Sequence, residues 1–334
     1  MSLPLLTGSI YLFLKWAPSN YQQPVLTAIG PYISDSALGT VAKVCGWVFC
    51  LSMVSGFNSW LSWKVENNWV EDKYDWNREL VLVTGASSGF GEMMAEQLAE
   101  RGTKVITMAR RPLKPELSAY KNVHHYQVDL SDWDGLALTA KQIKEEHGDP
   151  TVLVLNAGVA SRTPFMQKKF TDIKKLIDVN LISHFAMLHH FLPAMIKKNH
   201  GYIMSIASVV GYLSMTGLCD YGTTKSGMVA LHETLRQELR HVHKANKIRT
   251  SIIHTGWTKT AIIDDWEKGL KERGQITMPL ADVVKPIMEL LYSGYGTQLI
   301  IPGFLGFVAG MRGWPFWAQE FVRDKLNPYT GEYR

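Results

Sequence analysis

Short apolar runs and longer helical stretches alternate strictly between residues 80 and 301, and this alternation restricts the possible folds more than any other feature of the sequence. Strands that are separated by helices pair in parallel through right-handed crossovers, and continuous apolar runs are typical of strands covered on both faces. The pattern therefore predicts an α/β fold with one doubly wound parallel sheet. The predicted strands are residues 80–83, 104–108, 123–128, 152–155, 202–206, 248–254 and 298–301, and the predicted helices are residues 90–101, 132–147, 170–197, 220–243 and 282–292.

A glycine-rich turn lies between the first predicted strand and the first predicted helix. Gly85, Gly89 and Gly91 are spaced as G-x-x-x-G-x-G there. A strand, a glycine turn and a helix together bring free backbone N–H groups and the positive end of a helix dipole to one point, where a pyrophosphate fits. The plain alternative is an ordinary turn between a strand and a helix. The context favours a dinucleotide site on a Rossmann-type sheet.

Tyr221 and Lys225 are four residues apart in a predicted helix, so they lie on one face of it, one turn from each other. A buried ammonium beside a phenol is expected to lower the phenol's pKa, which gives a general acid/base near neutral pH. Ser208 follows the strand at residues 202–206, and Asn180 lies further upstream. Tyr221 and Lys225 are therefore candidates for a general acid/base; the plain alternative is an exposed Tyr and Lys on a helix.

In order and spacing, the glycine turn and the four residues resemble the short-chain dehydrogenase/reductase family over residues 80–301, two thirds of the chain. The sequence looks closest to the membrane-anchored retinol dehydrogenase and 17β-hydroxysteroid dehydrogenase-like branch. The resemblance implies that Tyr221 donates a proton to the substrate oxygen and that Ser208 hydrogen-bonds that oxygen. It also implies that Lys225 tunes the tyrosine and bonds the nicotinamide ribose, and that Asn180 holds a water leading to solvent.

Three positions depart from the family pattern. The usual Asn-Asn-Ala-Gly is Leu155-Asn156-Ala157-Gly158, the usual Pro-Gly after the sixth strand is Thr255-Gly256, and the usual paired serines are Ala207-Ser208. All four reacting residues are retained, so we expect activity.

The end of the second strand selects the cofactor in the family, where an acidic residue binds the ribose of NAD. Here Arg110 and Arg111 stand at that place without a carboxylate, and two guanidiniums suit a 2′-phosphate. We therefore expect NADP(H); the alternative is a solvated arginine pair. No metal site is expected. The predicted cofactor-binding residues are Gly85, Ser87, Ser88, Gly89, Phe90, Gly91, Arg110, Arg111, Asp129, Leu130, Asn156, Ala157, Gly158, Tyr221, Lys225 and Thr260.

Residues 1–79 do not fit the alternating pattern. Residues 44–63 carry no charge and lie between Lys43 and Lys64, and twenty helical residues rise ~30 Å, enough to cross a bilayer core. Residues 3–16 form a shorter apolar run, so the anchor is either a single span or a hairpin. The alternative is a buried helix pair. Residues 66–79, rich in charge and tryptophan, are interpreted as a linker docked on the membrane or on the domain.

The predicted organisation is therefore an anchor and linker at residues 1–79, the α/β domain at residues 80–303 and an apolar C-terminal extension at residues 304–334. The extension lies either near the substrate mouth or the membrane surface, or over the core as a C-terminal helix. Three cysteines without a C-x-x-C pair disfavour disulfides and zinc and fit a reducing compartment. A net charge of +5 without a Lys/Arg block disfavours nucleic acid as a partner.

The loops at the carboxyl ends of the strands are rich in apolar residues, which favours a lipophilic substrate. The candidate pocket stretches are residues 160–165, 209–218 and 257–266, and the residues that make the pocket apolar are Val209, Val210, Leu213, Met215, Leu218, Trp257, Ile262, Ile263 and Trp266. We expect an NADP(H)-dependent oxidoreductase acting on a retinoid, steroid or fatty aldehyde, anchored at the endoplasmic reticulum or a lipid droplet and facing the cytosol. The alternatives are a 3-oxoacyl or 3-ketosphinganine type reductase, or a non-catalytic nucleotide-binding membrane scaffold. Family members often form homodimers through helices equivalent to residues 170–197 and 220–243.

Overall fold

The computed structural model describes residues 3–272 and 274–326, and the chain divides into two compact units, Met1–Glu66 and Asn67–Arg334. The first unit contains the helices α1 (Leu3–Trp16), α2 (Ser19–Ile29) and α3 (Asp35–Glu66). Glycines let α1 and α3 pack closely: an added Cβ at Gly8 would lie 2.7 Å from the Phe49 ring, and one at Gly46 would lie 2.8 Å from the Tyr11 ring. The predicted shorter run coincides with α1, whereas the sequence pattern did not predict the polar helix α2.

Two helices of the described residues are long and apolar enough to cross a membrane, judged by length and composition alone. The first is α3, which is 32 residues long, contains an 18-residue window with a mean hydropathy of 1.7, and exposes most of its apolar side chains. The second, Phe170–Lys198, contains an 18-residue window with a mean hydropathy of 1.2. It buries Leu188, Phe191 and Met195 in the core of the second unit, as a helix packed on a sheet does.

The second unit is built on a seven-stranded sheet in which all paired strands are parallel. The strands are β1 (Leu80–Thr84), β2 (Lys104–Ala109), β3 (Val123–Gln127), β4 (Val152–Leu155), β5 (Tyr202–Ile206), β6 (Arg249–Thr255) and β7 (Gln298–Ile301). Their order across the sheet is β3-β2-β1-β4-β5-β6-β7, so the direction of winding reverses between β1 and β4. The predicted Rossmann-type fold is confirmed, and a crevice is expected at this reversal, outside the carboxyl ends of the strands.

Helices cover both faces of the sheet. The helices of this unit are α4 (Gly89–Glu100), α5 (Pro115–Ser118), α6 (Trp133–His147), α7 (Phe170–Ile177), α8 (Ser183–Lys198), α9 (Cys219–His241), α10 (Glu267–Glu272), α11 (Leu280–Ser293), α12 (Phe307–Gly310) and α13 (Phe316–Leu326). Successive strand residues point to opposite faces, so Leu82 joins the cluster under α6, α8 and α9, while Val83 joins the one under α4 and α11. Two apolar cores result, and the sheet between them is buried.

The predicted continuous helix at residues 170–197 is interrupted, which corrects the sequence interpretation. Residues Asp178–Ile182 form a turn of π-helix between α7 and α8. Asn180 lies in that turn, and its side chain accepts a hydrogen bond from the Val159 N–H at 2.7 Å and donates one to the Val159 carbonyl at 2.8 Å. Single π-helical turns are frequent at functional sites because they re-aim one side chain.

The compact second unit begins at Asn67 and so includes most of the predicted linker, as expected for a linker docked on the α/β domain. Residues 67–79, which we call the strap, pack on the α/β domain. Arg249, almost fully buried at the start of β6, donates to the Asn67 carbonyl at 2.8 Å, and the Tyr74 hydroxyl donates to the Gly201 carbonyl at 2.8 Å. Trp76 packs edge-on against Tyr292 with 5.0 Å between ring centroids. These contacts fasten the strap along the amino ends of the strands.

His200 forms an ion-pair cluster with the strap, and this cluster makes stability depend on pH. Its ring lies 2.7 Å from the Asp72 carboxylate and 3.3 Å from that of Glu79. Hydrogen bonding to Glu79, and then to Asp72, raises the pKa of His200 from 6.5 to about 9. A raised folded-state pKa stabilises the fold fully below the unfolded value of 6.5, and this contribution disappears as pH rises through about 9.

We therefore expect the full-length protein in detergent to unfold at a lower temperature above this pH window than below it. His200→Gln removes the titrating group and should flatten that pH dependence. Thermal unfolding followed by circular dichroism measures both variants. A wild-type unfolding temperature that stays constant across the window, or the same pH dependence in His200→Gln, would contradict the role assigned to this cluster.

The C-terminal segment 303–326 has an inner and an outer face. Val308 and Met311 are buried against Leu213, and Arg312 donates to the Gly211 carbonyl at 2.8 Å. Several large side chains of the segment point away from this contact and are exposed. They are Phe304, Phe307, Trp314, Phe316, Trp317 and Phe321. The predicted extension thus covers the loop after β5 on one side and leaves an aromatic surface on the other; its last residues, 327–334, lie outside the described part of the chain.

Candidate active site

A cleft of about 700 Å³ opens at the carboxyl ends of the strands, where the winding of the sheet reverses. The turn after β1, the end of β2, the loop after β4 and the start of α9 line it. Every predicted cofactor-binding residue except Gly91 contributes to this lining. The sequence motifs, which lie up to 175 positions apart from Gly85 to Thr260, therefore meet in one cavity.

The glycine turn has the shape that a bound phosphate requires. Gly85 has a φ of +71°, and an added Cβ there would lie 2.8 Å from the Cα of Ala157. Gly91 is behind the turn, where a Cβ would lie 2.6 Å from the carbonyl oxygen of Gly85. Since α4 begins at Gly89, its first N–H groups point into the cleft entrance. The residues present fit a dinucleotide.

Side chains from three strand ends brace the cleft. Asn156 donates from Nδ2 to the Thr84 carbonyl at 2.9 Å, which ties the end of β4 to the end of β1. Asp129 accepts from the Ser131 hydroxyl at 2.7 Å. Arg111 donates to the Ser88 hydroxyl at 3.1 Å, whereas the exposed Arg110 lines the cleft beside it. One arginine thus supports the glycine turn and the other faces the cleft from an exposed position.

The four predicted catalytic residues converge beside this cleft. The phenol of Tyr221 is hydrogen-bonded to Ser208, whose hydroxyl lies 3.2 Å from the Thr255 carbonyl. Lys225 donates from Nζ to the Ile206 carbonyl at 2.8 Å. Asn180 lies on the far side of Gly158, where an added Cβ would be 3.6 Å from Asn180 Oδ1 and 3.8 Å from Lys225 Nζ. The fold therefore gathers a hydroxyl pair, an ammonium group and an amide around one corner of the cleft.

The sequence profile of the short chain dehydrogenase family matches residues 79–271, more than half of the chain. The chain belongs to the short-chain dehydrogenase family. The resemblance predicted from the sequence is thereby confirmed, and this dehydrogenase is an oxidoreductase by family.

Two relatives and two solved structures illustrate the similarity. Dehydrogenase RED2 of Cochliobolus heterostrophus is 38% identical over 219 residues, covering 65% of this chain and 82% of that protein. Estradiol 17-beta-dehydrogenase 11 of Homo sapiens is 34% identical over 191 residues, covering 54% of this chain and 64% of that one. A serine dehydrogenase complexed with NADP+ is 26% identical with a TM-score of 0.59 over 66% of this chain and 94% of its own. A 4-hydroxyisoleucine dehydrogenase complexed with NADH has 23% identity and a TM-score of 0.61 over 68% and 98%.

The pKa of Tyr221 departs from the sequence-based expectation. Burial raises it to about 12, and the hydrogen bond between Tyr221 and Ser208 opposes that rise only in part. Burial also lowers the pKa of Lys225 to about 7. The net shift of the phenol's pKa is therefore upward and not downward as expected from the nearby Lys225, because burial is its largest cause. In this dehydrogenase Tyr221 is a protonated phenol at neutral pH, which is the form that can donate a proton.

A second, smaller cavity of about 60 Å³ adjoins Ser208 and Tyr221. Its lining includes Ser208 and Tyr221 together with Trp257 and Trp266, whose rings pack edge-to-face with 6.2 Å between their centroids. Most of the predicted substrate-pocket residues line it: Val209, Val210, Leu218, Trp257, Ile262, Ile263 and Trp266. Leu213 and Met215 do not line it. Leu213 packs with the C-terminal segment, whereas Met215 packs both with that segment and with the cluster that contains Val210, Leu218, Ile263 and Trp266.

The sequence predicts residues 160–165 as part of the substrate pocket, and Ala160, Ser161, Arg162 and Thr163 of that loop line the large cleft. The sequence interpretation missed Val159, Lys175 and Val179, which line the same cleft. Arg162 is 7% exposed, so this part of the cleft wall contains a buried cation next to the apolar loops. A usable signal existed for Val159, because it directly follows Asn156-Ala157-Gly158 at the reversal of winding, where cofactor and substrate meet in such sheets.

Proposed function

We propose that this dehydrogenase is an NADP(H)-dependent oxidoreductase that transfers hydride between the nicotinamide and a lipophilic alcohol or carbonyl compound of the retinoid, steroid or fatty aldehyde type. The observation that carries the proposal is the position of Tyr221. This residue lines both the dinucleotide-sized cleft and the small apolar cavity, so its phenol stands where a cofactor and a substrate would meet.

The residues divide the chemistry of carbonyl reduction among them. A bound nicotinamide supplies the hydride. Tyr221 donates its proton to the developing alkoxide, and Ser208 stabilises the charge on that oxygen by a hydrogen bond. Lys225, with a pKa of about 7, exchanges protons readily near neutral pH and can return one toward Tyr221. Asn180 fixes the loop at Val159 against this group.

Two features support NADP(H) and a lipophilic substrate. Arg110 and Arg111 stand at the end of β2 beside the cleft, and a guanidinium pair suits a 2′-phosphate. The small cavity is bounded largely by aliphatic and tryptophan side chains, which favours an apolar group next to the reacting carbon. One of the relatives carries a steroid alcohol in its name, which agrees with this substrate class.

An NADPH-oxidation assay on a panel of carbonyl compounds tests the proposal. The panel contains a fatty aldehyde, a retinoid aldehyde, a steroid ketone, a 3-oxoacyl thioester and 3-ketosphinganine. We expect the highest kcat/KM with one of the first three. Preference for either of the last two would establish the alternative lipid reductase, and oxidation of none of them would favour a nucleotide-binding scaffold.

We further propose that α3 anchors the enzyme in the endoplasmic reticulum membrane or at a lipid droplet, with the second unit in the cytosol. A 32-residue helix rises about 48 Å, longer than the ~30 Å hydrocarbon core. The exposed aromatic side chains at 304–321 are of the kind that favour the membrane interface. All three cysteines are free, in keeping with a reducing compartment.

Removing residues 1–64 tests the anchor. We expect the full-length protein to sediment with membranes and to resist carbonate extraction, because an apolar helix of this length is stable only in lipid or when it is buried against other protein surface. The truncated protein should be released, or held peripherally by the aromatic surface, and should keep activity on a short soluble aldehyde while losing efficiency on a long-chain one. Full-length protein wholly in the soluble fraction would contradict the anchor.

A further inference from the structure

A buried ion pair that the proposed chemistry does not use lies next to the catalytic tyrosine. Lys168 Nζ is 2.7 Å from Asp220 Oδ1 and 2.8 Å from Oδ2, and both side chains are 2% exposed. Burying two charges costs several kcal/mol per ion, which the attraction between them offsets only when further hydrogen bonds satisfy both groups. The further partners of this pair therefore indicate what it does.

Those partners belong to the two walls of the cleft. Lys168 also donates to the Ser161 hydroxyl at 2.8 Å and to the Ser161 carbonyl at 3.1 Å. Asp220 Oδ1 accepts from the backbone N–H of Tyr221 at 2.8 Å. Ser161 lines the cofactor cleft, and Tyr221 is the proposed proton donor. A single ammonium group thus connects the loop after β4 to the first turn of α9.

A second contact joins the same two segments. The Thr163 N–H donates to the Gly217 carbonyl at 3.2 Å, just before α9 begins. Gly217 has a φ of +80°, and a Cβ there would lie 3.3 Å from the Arg162 side chain, so the backbones approach closely. Two contacts therefore hold the loop after β4 against the start of α9. One is a backbone hydrogen bond, and the other is the buried ion pair.

We propose that Lys168 and Asp220 are positioning residues, and that their ion pair fixes Tyr221 relative to the cofactor cleft by holding the 158–163 loop against the start of α9. Neither side chain lines the small cavity beside Ser208 and Tyr221, so neither is assigned a part in proton transfer. The kinetic part of this inference rests on the proposed function.

A pair of variants separates positioning from simple stabilisation. Lys168→Met alone leaves a buried carboxylate without its partner, whereas Lys168→Met combined with Asp220→Leu removes both charges, a change that is often neutral for stability. We expect the single variant to be strongly destabilised. The double variant should recover most of the wild-type unfolding temperature and still transfer hydride about 10- to 100-fold more slowly in a single turnover, since small misplacements of reacting groups have effects of that size.

Lys174 and Asp178 provide the matched control, because they form a Lys–Asp pair at 2.6 Å in the same region with the lysine 67% exposed. Lys174→Met should leave the unfolding temperature and the single-turnover rate at wild-type values. If Lys168→Met does not fold, the isosteric Asp220→Asn, which keeps an oxygen for the Tyr221 N–H, provides the second comparison. It should be folded and should show a slower single turnover.

The outcomes are distinguishable. A double variant with restored stability and slow hydride transfer supports the positioning role, and one with wild-type stability and wild-type rate overturns it. NADPH affinity, measured by the fluorescence of the bound reduced cofactor, is a readout that does not need turnover. Because Ser161 lines the cofactor cleft, the double variant should bind NADPH more weakly than wild type. If the double variant binds NADPH with wild-type affinity and transfers hydride at the wild-type rate, the inference is contradicted. If the wild-type protein is inactive but the double variant still binds NADPH more weakly than wild type, only the proposed function is contradicted.

Discussion

Tyr221→Phe is expected to lower turnover by about 100-fold or more, while the affinity for NADP(H) changes little. The substitution removes the transferable proton and keeps the ring that packs between the cleft and the apolar cavity. Burial holds the pKa of this phenol at about 12, so at neutral pH the wild-type residue is in the proton-donating form. Ser208 would remain in the variant, but its hydroxyl alone cannot deliver a proton to the product oxygen at the same rate.

Steady-state kinetics and cofactor-fluorescence titration measure the two halves of this expectation. Tyr212→Phe is the matched control, because it deletes the same hydroxyl from a tyrosine that bonds His254 and lies outside the linings of both cavities. It should retain turnover close to wild type. Normal turnover by Tyr221→Phe would show that the proton comes from another group, and an equal loss in both variants would show a general effect of removing a tyrosine hydroxyl.

Arg110→Asp is expected to weaken NADPH binding by about 1.5–3 kcal/mol, because it removes a charge-assisted contact and brings a carboxylate toward the 2′-phosphate. NADH lacks that phosphate and should be affected less. Arg110 is a sharper target than Arg111, since Arg111 also supports the glycine turn through Ser88 and its loss would disturb both cofactors.

Dissociation constants for NADPH and NADH, measured on the same preparations, test whether Arg110 contacts the 2′-phosphate. Arg78→Asp serves as the control, since its side chain is 87% exposed on the strap, away from the residues that line the cleft. It should leave both constants near wild type, as surface ion pairs contribute little. Equal losses of NADPH and NADH affinity in Arg110→Asp would mean that Arg110 does not read the phosphate.

The parts of the fold that follow from local pattern could be predicted closely from the sequence. The boundaries of β4, β5 and β7 coincide with the predicted residues 152–155, 202–206 and 298–301. Continuous apolar runs between polar turns define such strands, and the parallel order follows from the helices between them. The glycine turn was found in the same way, because its spacing is a local property of the backbone.

Features that depend on distant contacts could not be predicted. Arg249 hydrogen-bonds the carbonyl groups of Asn67 and Val70 in the strap, although it lies more than 170 positions away in the sequence. No periodicity in residues 67–79 indicates that Arg249 is the partner. Lys168 and Asp220 are 52 positions apart, and each by itself resembles a surface charge. The π-helical turn at Asn180 arises from its bonds to Val159, which a helical pattern does not reveal.

The pKa of Tyr221 is likewise predictable only in part from the sequence. Spacing correctly brought Lys225 to the same corner as Tyr221, with Nζ 5.6 Å from the ring centroid. The balance between attraction and desolvation depends on how deeply both groups are buried, and burial is a property of the folded chain. The sequence therefore predicted the partners of the phenol but not the direction in which its pKa moves.

Deuterium transfer tests the central claim most directly. Full-length protein in detergent is supplied with NADPH that carries deuterium at the transferable position of its nicotinamide ring, together with a retinoid aldehyde, a steroid ketone and a fatty aldehyde in turn. Mass spectrometry then locates the isotope in the product. The account predicts deuterium on the carbinol carbon of at least one alcohol, formed far more slowly by Tyr221→Phe. NADPH bound tightly by a protein that places deuterium in none of these alcohols would contradict it.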